Sequence, residues 1–549
     1  MGSALPLLSV YCLAAAAGVW IMYAPTLGYG FDYDDYHFVR PYSAREIAAA
    51  FSGPWDASAI EVSFYRPLTI LLYAIRFHYF GVNAEAYHVL SLVMFAGALM
   101  LFGLFVRTIF ASTTAGLIGI GMLLVHPAMP YAAVAWVTNQ MHLLEMLIIL
   151  AALVWWTHVR MRDARWWMPL IAFEIAALLV KEDGIMLIPA IVTLHVLCRY
   201  LVDPDLRWPP WSFVIATVAV AVALLAFRHS VLPASGGYRL PNLETAWLNV
   251  RTGFEGVFRL VPARRHWQLQ AGWFVTLLPL AAFAAWRRLP GPTRFGLVGG
   301  LAIGALFNLP FIFVVKVQQL HLVGMGAALL LTSASIGVVR LAASRTYRAV
   351  CAVLLVSGAL LLAAVARDIT RDFEPFGAIM LATDDLVTGW AAVPPELRDY
   401  LAEKKQPGAA SRLSANPAVA LSAVTFGLHG WETGPDALRF RWMAANECEI
   451  YVGASAQRVT VPLRHEIGGF REPARVQVEL DGRIVDEVEF RTGEWRASTV
   501  MLGQAHVSPL RKMHRLVLRI DHTWTAKVID PRSPDTRPLG LQVGELQVR

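Results

Sequence analysis

Long apolar stretches separated by short polar loops dominate the first two thirds of the chain. Stretches of this length, about 20 residues, can cross a bilayer as helices. Each backbone polar group in lipid needs a partner within its own segment, which excludes open strands. The pattern predicts about eleven transmembrane helices, at about residues 5–25, 86–107, 114–131, 139–158, 166–180, 184–200, 211–228, 268–286, 294–315, 320–339 and 348–367.

The first stretch also fits a signal peptide, because small residues occur near its middle. It lacks a basic segment before it and is long enough to span a bilayer, so we interpret it as the first helix.

The polar pattern changes to the period of β-strands near the C-terminus. Apolar and polar residues alternate over 458–463, 474–480, 483–490 and 515–524. Asp481-Gly482 is a hairpin signal between two of these runs. Short strands separated by turns predict a β-sandwich or jelly roll.

Composition separates the same two parts. Of the 549 residues, 56% are hydrophobic and 16% are charged, which argues against a wholly soluble or a disordered protein. Residues 400–549 are about twice as rich in charge as the rest. We therefore predict a membrane domain over 1–370, a linker over 371–415 and a β-sandwich over 416–549. Within the membrane domain, 26–85 forms a first external loop with juxtamembrane helices.

Charge also orients the chain. The formal net charge is +7, and no aromatic-basic pattern suggests a nucleic-acid partner. Arginines recur in alternate loops, which predicts a cytoplasmic N-terminus and an external C-terminal domain by the positive-inside rule. These arginines are Arg107, Arg160, Arg162, Arg165, Arg199, Arg207, Arg287, Arg288, Arg294, Arg340, Arg345 and Arg348. The four cysteines show neither a disulfide framework nor zinc-ligand spacing.

An acidic segment follows the first apolar stretch and contains Asp32, Asp34, Asp35 and His37. Ionised carboxylates this close repel one another, which can raise the pKa of one of them. Together their oxygens can also bind a divalent cation. One of them could act as a general base on an acceptor hydroxyl. The alternative is a solvated acidic loop, and no metal-ligand spacing here is convincing.

A family resemblance rests on three segments. The sequence Asp34-Asp35-Tyr36-His37-Phe38 resembles the Asp-Glu-x-His-Phe motif of protein O-mannosyltransferases, with Asp35 in place of their Glu. Tyr65-Arg66-Pro67-Leu68 resembles the Tyr-Arg-Pro-Leu of the transmembrane and tetratricopeptide mannosyltransferases, and Lys181-Glu182 resembles their Ser-Lys-Glu segment. Over roughly residues 1–370 the chain is similar to the GT-C superfamily of membrane glycosyltransferases.

The resemblance implies transfer of a sugar, mannose or another hexose or pentose, from a polyprenyl-phosphate donor. The acceptor hydroxyl belongs to a glycan, lipid or protein on the external face. Asp34 would deprotonate it, the oxygen would attack the anomeric carbon with inversion, and Asp35 and His37 would orient the reacting groups. The resemblance also implies a bacterial inner membrane and a periplasmic β-domain. The acceptor class does not carry over, because tetratricopeptide repeats and a MIR-type insert are absent from the sequence.

The leaving phosphate requires cationic partners on the same side of the membrane. Near the outer ends of the predicted spans, the candidates are Arg66, Lys181 with Glu182, Arg228, and Lys316 with His321. For each cation the alternative is snorkelling of the side chain to the head groups. The Lys181-Glu182-Asp183 run is alternatively a local ion pair, and the Lys316–His321 segment a polar turn.

Two other functions remain open. A lipid or glycan transporter should show repeat symmetry and ionisable groups near the membrane midplane, which the sequence does not display. A non-catalytic glycan-binding membrane protein would use the β-domain, where Trp431, Trp442, Trp495 and Trp524 could stack on sugars or form the core.

Overall fold

The computed structural model describes two compact units. It describes residues 4–29, 31, 35–54, 64–130, 134–160, 164–232, 242–258, 266–312, 320–382, 423–426, 428–429, 432–434, 438–453, 457–466, 473–502, 513–528, 531–532 and 537–548. The first unit is Met1–Phe31 with Pro41–Phe373, and the second is Asp32–Arg40 with Glu374–Arg549. The predicted linker 371–415 lies outside the described residues from position 383 onwards.

The described part of the first unit is helical. Helix starts follow from local chemistry: Asn83 and Ser112 accept hydrogen bonds from the third residue beyond them, and Ser43 forms a capping box with Glu46. The helices are α1 (Ala4–Tyr23), α2 (Asp35–Phe38, grouped with the second unit), α3 (Ala44–Ala50), α4 (Pro67–Phe80), α5 (Ala84–Phe110), α6 (Thr113–Leu124), α7 (Gln140–Val159), α8 (Pro169–Val180), α9 (Leu187–Leu201), α10 (Trp211–Val231), α11 (Leu243–Phe258), α12 (His266–Ala284), α13 (Gly291–Asn308), α14 (His321–Leu341) and α15 (Arg345–Ala382).

A helix lies at each of the eleven predicted apolar stretches. Within the described part of the chain, seven helical segments are long and apolar enough to cross a membrane: Leu8–Gly28, Ala84–Phe110, Gln140–Val159, Glu182–Leu201, Trp211–Val231, His321–Leu341 and Arg345–Thr370. Three shorter apolar helices are Thr113–Leu124, Pro169–Val180 and Ala271–Ala284. These helices support an integral membrane protein, while eleven spans stays a prediction.

The core of the helical unit is closely packed where α13 meets α14. Gly296, Gly300 and Gly304 recur every four residues along α13 and therefore lie on one face. A Cβ atom on Gly300 would lie 2.6 Å from the backbone nitrogen of Leu330, and one on Gly326 would lie 2.5 Å from that of Gly304. Small residues thus let the two backbones touch, as in close-packed membrane helices.

Polar contacts dock α4 on the rest of the helical unit. The Thr69 hydroxyl donates to the carbonyl of Val180 at 2.9 Å, and Tyr73 donates to that of Thr138 at 2.7 Å. The buried Arg76 donates through Nη1 to the carbonyl of Val137 at 2.9 Å and to Gln140 Oε1 at 3.0 Å. These bonds fix α4 against the end of α8 and the start of α7.

The described part of the second unit contains antiparallel sheets. Its strands are β1 (Ala423–Phe426), β2 (Glu432–Thr433), β3 (Arg439–Trp442), β4 (Glu447–Gly453), β5 (Arg458–Arg464), β6 (Ala474–Leu480), β7 (Arg483–Phe490), β8 (Arg496–Met501), β9 (Met513–Ile520), β10 (Trp524–Thr525), β11 (Pro538–Leu539), β12 (Gln542–Gly544) and β13 (Gln547–Val548). One sheet has the order β1-β4-β9-β6-β7; another has β13-β5-β12-β3-β2, with β8 beside β5. A short pair joins β10 and β11.

One hydrophobic core joins the two larger sheets. It contains Val461 of β5, Val476 of β6 and Leu516 of β9, and burial alternates along β5 and β6. The predicted hairpin is present, with positive φ at both Asp481 (49°) and Gly482 (87°), as a tight two-residue turn requires. The sheets confirm the predicted C-terminal β region.

The tryptophans of this domain divide in a way the sequence left open. Trp442 and Trp524 are buried with Phe440 and Leu539 in a second small cluster, and Trp495 packs against it while partly exposed. Trp442 and Trp524 are therefore core residues, and Trp431 lies outside the described residues.

Candidate functional site

The acidic segment is described only in part. Asp32 and Asp34 lie outside the described residues, and Asp35 begins the short helix α2 with its side chain buried. His37 lies in α2, where only its backbone is described. The roles of these four residues, and a divalent cation held by the three aspartates, remain predictions.

Arg66 immediately precedes α4 and pairs with Glu182, which follows α8. Its Nε and Nη2 both donate to Glu182 Oε2, at 3.1 and 2.8 Å. The Arg66 side chain is 4% exposed and that of Glu182 is 15% exposed. Arg66 also lies over the ring of Phe64, 4.1 Å from its centroid. Arg66 therefore does not snorkel; it forms a largely buried ion pair that ties two segments together.

Arg228, in the last turn of α10, approaches the other oxygen of the same carboxylate. Its Nη2 lies 3.8 Å from Glu182 Oε1, and the side chain is 23% exposed. At that distance the interaction is electrostatic rather than a hydrogen bond. Arg228 is thus the least enclosed cation of this group.

Lys181 pairs with Asp183 rather than with Glu182. Its Nζ contacts Asp183 Oδ2, and the Lys181 side chain is buried. Lys181 thus forms a local ion pair, and its role toward a phosphate stays a prediction. Lys181 also interacts electrostatically with Glu145 of α7, as does Arg66. The structure thus extends the group of charges into the helical core.

A narrow cleft opens beside Arg228 and Glu182. Its walls are apolar side chains of α8 and α10, including Leu178 and Leu225, with Tyr65 at one edge. Burial raises the pKa of the Tyr65 hydroxyl, so this group stays protonated and donates to the carbonyl of Phe51 at 3.1 Å. The cleft places a charged wall next to a hydrocarbon-like wall.

The buried charges continue to a histidine pair. His321, the first residue of α14, contacts Glu145 Oε2 through Nε2 at 3.1 Å. His142, three residues before Glu145 on α7, packs against His321 with ring centroids 4.5 Å apart. His142, Glu145 and His321 are all buried, and one ligand atom of each lies within 4.8 Å of the others. These three residues could hold a metal ion.

Helix geometry explains why the charges converge. Arg66, Glu145, Glu182 and His321 lie at or near helix or span starts, whereas Lys181 and Arg228 lie at helix ends. All six therefore lie at one end of the helical unit. We call these six residues, together with Asp183 and His142, the polar cluster. The helices α4, α7 and α14 begin there without a side-chain cap, so their N-terminal dipoles favour an anion.

The structure thus unites most of the predicted phosphate partners: Arg66, Lys181, Glu182, Arg228 and His321. Lys316 lies outside the described residues. Sequence reasoning missed Glu145, the acid that contacts His321. The available signal was an ionisable residue inside an apolar helix, three positions after a histidine on the same face.

Comparisons with known proteins are sparse. No family model matches the chain, and no curated protein matches it. Among solved structures, the chain is similar to the arabinosyltransferase EmbB from Mycobacterium smegmatis, with 12% sequence identity and a TM-score of 0.38. The match covers 99% of this chain and 64% of the EmbB chain, so the chain spans less than two thirds of that protein. A match at this level carries no argument about chemistry.

Proposed function

We propose that this chain is an integral membrane glycosyltransferase of the GT-C class that uses a polyprenyl-phosphate-linked sugar. The observation that supports the proposal best is the polar cluster, because ionisable side chains buried among apolar helices are costly and mark functional sites. The cleft beside Arg228 and Glu182 adds an apolar wall next to charge, the combination that a lipid phosphate needs, although the cleft is narrow and must widen to admit one.

In this proposal, the two walls of the cleft bind different parts of the donor. Leu178 and Leu225 contact the first isoprene units, and Arg228 reaches the phosphate because it is the most exposed cation of the cluster. The N-terminal dipoles of α4, α7 and α14 add positive potential at the same end. Arg66 and Lys181 act indirectly, because each is already held by a carboxylate.

The chemical step comes from the resemblance of the acidic segment. Asp34 takes the proton of the acceptor hydroxyl, whose oxygen attacks the anomeric carbon from the face opposite the phosphate. The bond between that carbon and the phosphate oxygen breaks, and polyprenyl phosphate leaves with inversion of the sugar. Asp35 and His37 position the base. Mannose or another hexose or pentose fits the proposal, on the periplasmic face of a bacterial inner membrane.

The test uses the full chain in lipid nanodiscs with polyprenyl-phosphate hexoses and pentoses and a bacterial lipid extract as the acceptor source. The measured quantity is polyprenyl phosphate released together with labelled product. Asp34→Asn should reduce release at least about 100-fold, since a positioned general base contributes about 10²–10⁴-fold. Circular dichroism should remain unchanged.

Asp205→Asn is the matched control, because Asp205 is an exposed acid in the loop between α9 and α10. It should keep full activity. Undiminished transfer by Asp34→Asn would sink the assigned base. If the wild type released no polyprenyl phosphate from any donor but moved lipid head groups across liposome membranes, the transporter function would replace this proposal.

A further inference from the structure

His142, Glu145 and His321 belong to the polar cluster, but apart from the prediction that His321 lies near the leaving phosphate, the proposed function gives them no individual role. His142 and Glu145 are three residues apart on α7, a spacing that places both on one helix face. His321 opens α14 and comes to them from a position 176 residues beyond Glu145. The fold therefore assembles two imidazoles and one carboxylate from two helices.

The geometry matches a small metal ion. Ligand atoms about 2.0–2.2 Å from a tetrahedral zinc lie about 3.3 Å from one another. His321 Nε2 and Glu145 Oε2 are already 3.1 Å apart, and the three ligand atoms lie within 4.8 Å of one another. A rotation of the His142 ring that shortens the longest separation by about 1–1.5 Å completes the triangle.

The burial of Glu145 also supports a bound cation. Its side chain is fully buried, and among the described residues its Oε1 has no hydrogen-bond partner, although Oε2 contacts His321. A carboxylate oxygen left unsatisfied in a protein interior costs free energy unless something pairs with it. A cation bound by Glu145 removes that cost.

We propose that His142, Glu145 and His321 bind one Zn²⁺ ion that links α7 to α14 and leaves a fourth coordination position open. Two histidines and a glutamate are a zinc-ligand set of catalytic type. Mg²⁺ and Ca²⁺ are less suited, because they prefer oxygen ligands.

Charge balance indicates what the open position accepts. The polar cluster contains three cations, Arg66, Lys181 and Arg228, against three carboxylates, Glu145, Glu182 and Asp183. The carboxylates offset the cations when ionised, which leaves little positive charge for an incoming phosphate. A divalent ion supplies it and can accept a phosphate oxygen as its fourth ligand. This last step rests on the proposed function, whereas the binding of zinc does not.

The test measures metal on the full-length protein in detergent, without any transfer assay. The protein is stripped with a chelator, reloaded with ZnCl₂ and passed through a desalting column, and zinc is counted by mass spectrometry. The wild type should hold about one Zn²⁺ per chain, as a three-ligand site does. His142→Ala, Glu145→Ala and His321→Ala should each lose most of it.

A cobalt experiment reports the ligands directly. Cobalt-loaded wild type should show the visible bands of a four-coordinate ion. His142→Cys should keep the metal and add a sulfur-to-cobalt charge-transfer band, which a purely structural histidine cannot produce. This variant keeps the proposal testable if an alanine variant fails to fold.

His158→Gln is the matched control, because His158 is an exposed histidine in the last turn of the same helix. It should bind zinc like the wild type. Zinc well below one per chain in the wild type would overturn the proposal, as would equal retention by the three alanine variants, which would mean an adventitious ion only. Either failure leaves the transfer assay with Asp34→Asn unaffected, so the two proposals fail separately.

Discussion

Arg66 donates two hydrogen bonds to a single oxygen of Glu182, and Arg228 faces the other oxygen of that carboxylate. One acid therefore neutralises two arginines that come from the start of α4 and the end of α10. Because the three residues are 116 and 46 positions apart, this contact exists only in the folded helical unit.

Replacing Glu182 with Gln should destabilise the helical unit. The substitution leaves Arg66 buried without its counter-ion, and breaking a buried pair from one side costs about 3–5 kcal/mol. We expect about 3 kcal/mol, because Glu182 keeps some exposure. The free energy of unfolding in mixed detergent micelles, followed by tryptophan fluorescence, measures the change.

The contact between Arg537 and Glu432 provides the comparison, at 2.9 Å but with both side chains exposed. Glu432→Gln should change the unfolding free energy of the β-domain by less than about 1 kcal/mol. A similarly small effect of Glu182→Gln would show that burial does not increase the contribution of the Arg66 pair to the free energy of unfolding.

Replacing Arg228 with Gln should weaken binding of a lipid phosphate and cost less stability than Glu182→Gln does. Glu182 keeps both hydrogen bonds from Arg66 in this variant, and the 3.8 Å contact that it loses is electrostatic. A hydrogen bond to a charged group contributes about 1.5–3 kcal/mol, which corresponds to at least about a tenfold weaker affinity. Titration with a short-chain polyprenyl phosphate, followed by native mass spectrometry, gives the dissociation constant.

Arg340→Gln serves as the control for that titration. Arg340 is an exposed arginine in the last turn of α14, at the end away from His321. Its variant should bind the lipid phosphate like the wild type. Equal weakening in both variants would indicate a general charge effect and contradict the role given to Arg228.

Much of the fold follows from local sequence patterns. The apolar stretches coincide with helices, and strands β5, β6, β7 and β9 coincide with alternating runs. The polar cluster is only half predictable. Arg66, Lys181 and Arg228 border apolar stretches and attract attention for that reason, whereas Glu145 gains its meaning from His321, which the sequence separates widely.

The pairing of each cation is not predictable from the sequence. Adjacent charges allow Lys181 to pair with either of the two acids that follow it, and the turn after α8 directs it to Asp183. Glu182 is instead taken by Arg66, because α4 docks through Thr69 on the end of α8. The arrangement depends on packing between segments, which no local pattern encodes.

Gly326→Ala should disrupt the contact between α13 and α14. The new Cβ atom would lie 2.5 Å from the backbone nitrogen of Gly304 and 2.6 Å from the carbonyl oxygen of Gly300, and backbone atoms cannot rotate away. Overpacking costs about 1–3 kcal/mol, and we expect the upper part of that range. Thermal unfolding in detergent measures the loss.

Gly121→Ala on α6 is the matched substitution, because nothing lies within 4 Å of its added Cβ atom. It should be neutral or slightly stabilising, since alanine favours helix more than glycine does. Similar losses in both variants would contradict the importance of the backbone contact.

Acid should weaken the β-domain through His465. Burial lowers the pKa of His465 and the nearby His522 lowers it further, while Asp521 opposes them. The folded pKa therefore lies below the unfolded value of about 6.5, so the contribution is complete above about pH 6.5 and is lost as the pH falls through the folded pKa. Hydrogen exchange of β5 amides, corrected for chemical exchange, should show weaker protection in acid.

His465→Gln removes the titrating group and should flatten this pH dependence relative to the wild type. The comparison is made between neutral pH and about pH 5. At about pH 5 the wild-type histidine takes up a proton when the domain unfolds. An unchanged slope in the variant would assign the acid sensitivity to other groups.

The backbone contact between α13 and α14 has a mechanical consequence for the membrane unit. Where Gly300, Gly304 and Gly326 meet, no side chain lies between the two backbones, so no change of rotamer can accommodate a shift of one helix against the other. By contrast, α10 packs loosely, because only 11% of its apolar segment is buried. Displacing α10 sideways into lipid exposes little protein interior, and it carries Arg228 with it. Under the proposed function, such a displacement of α10 would widen the cleft and admit a lipid chain from the side of the bilayer.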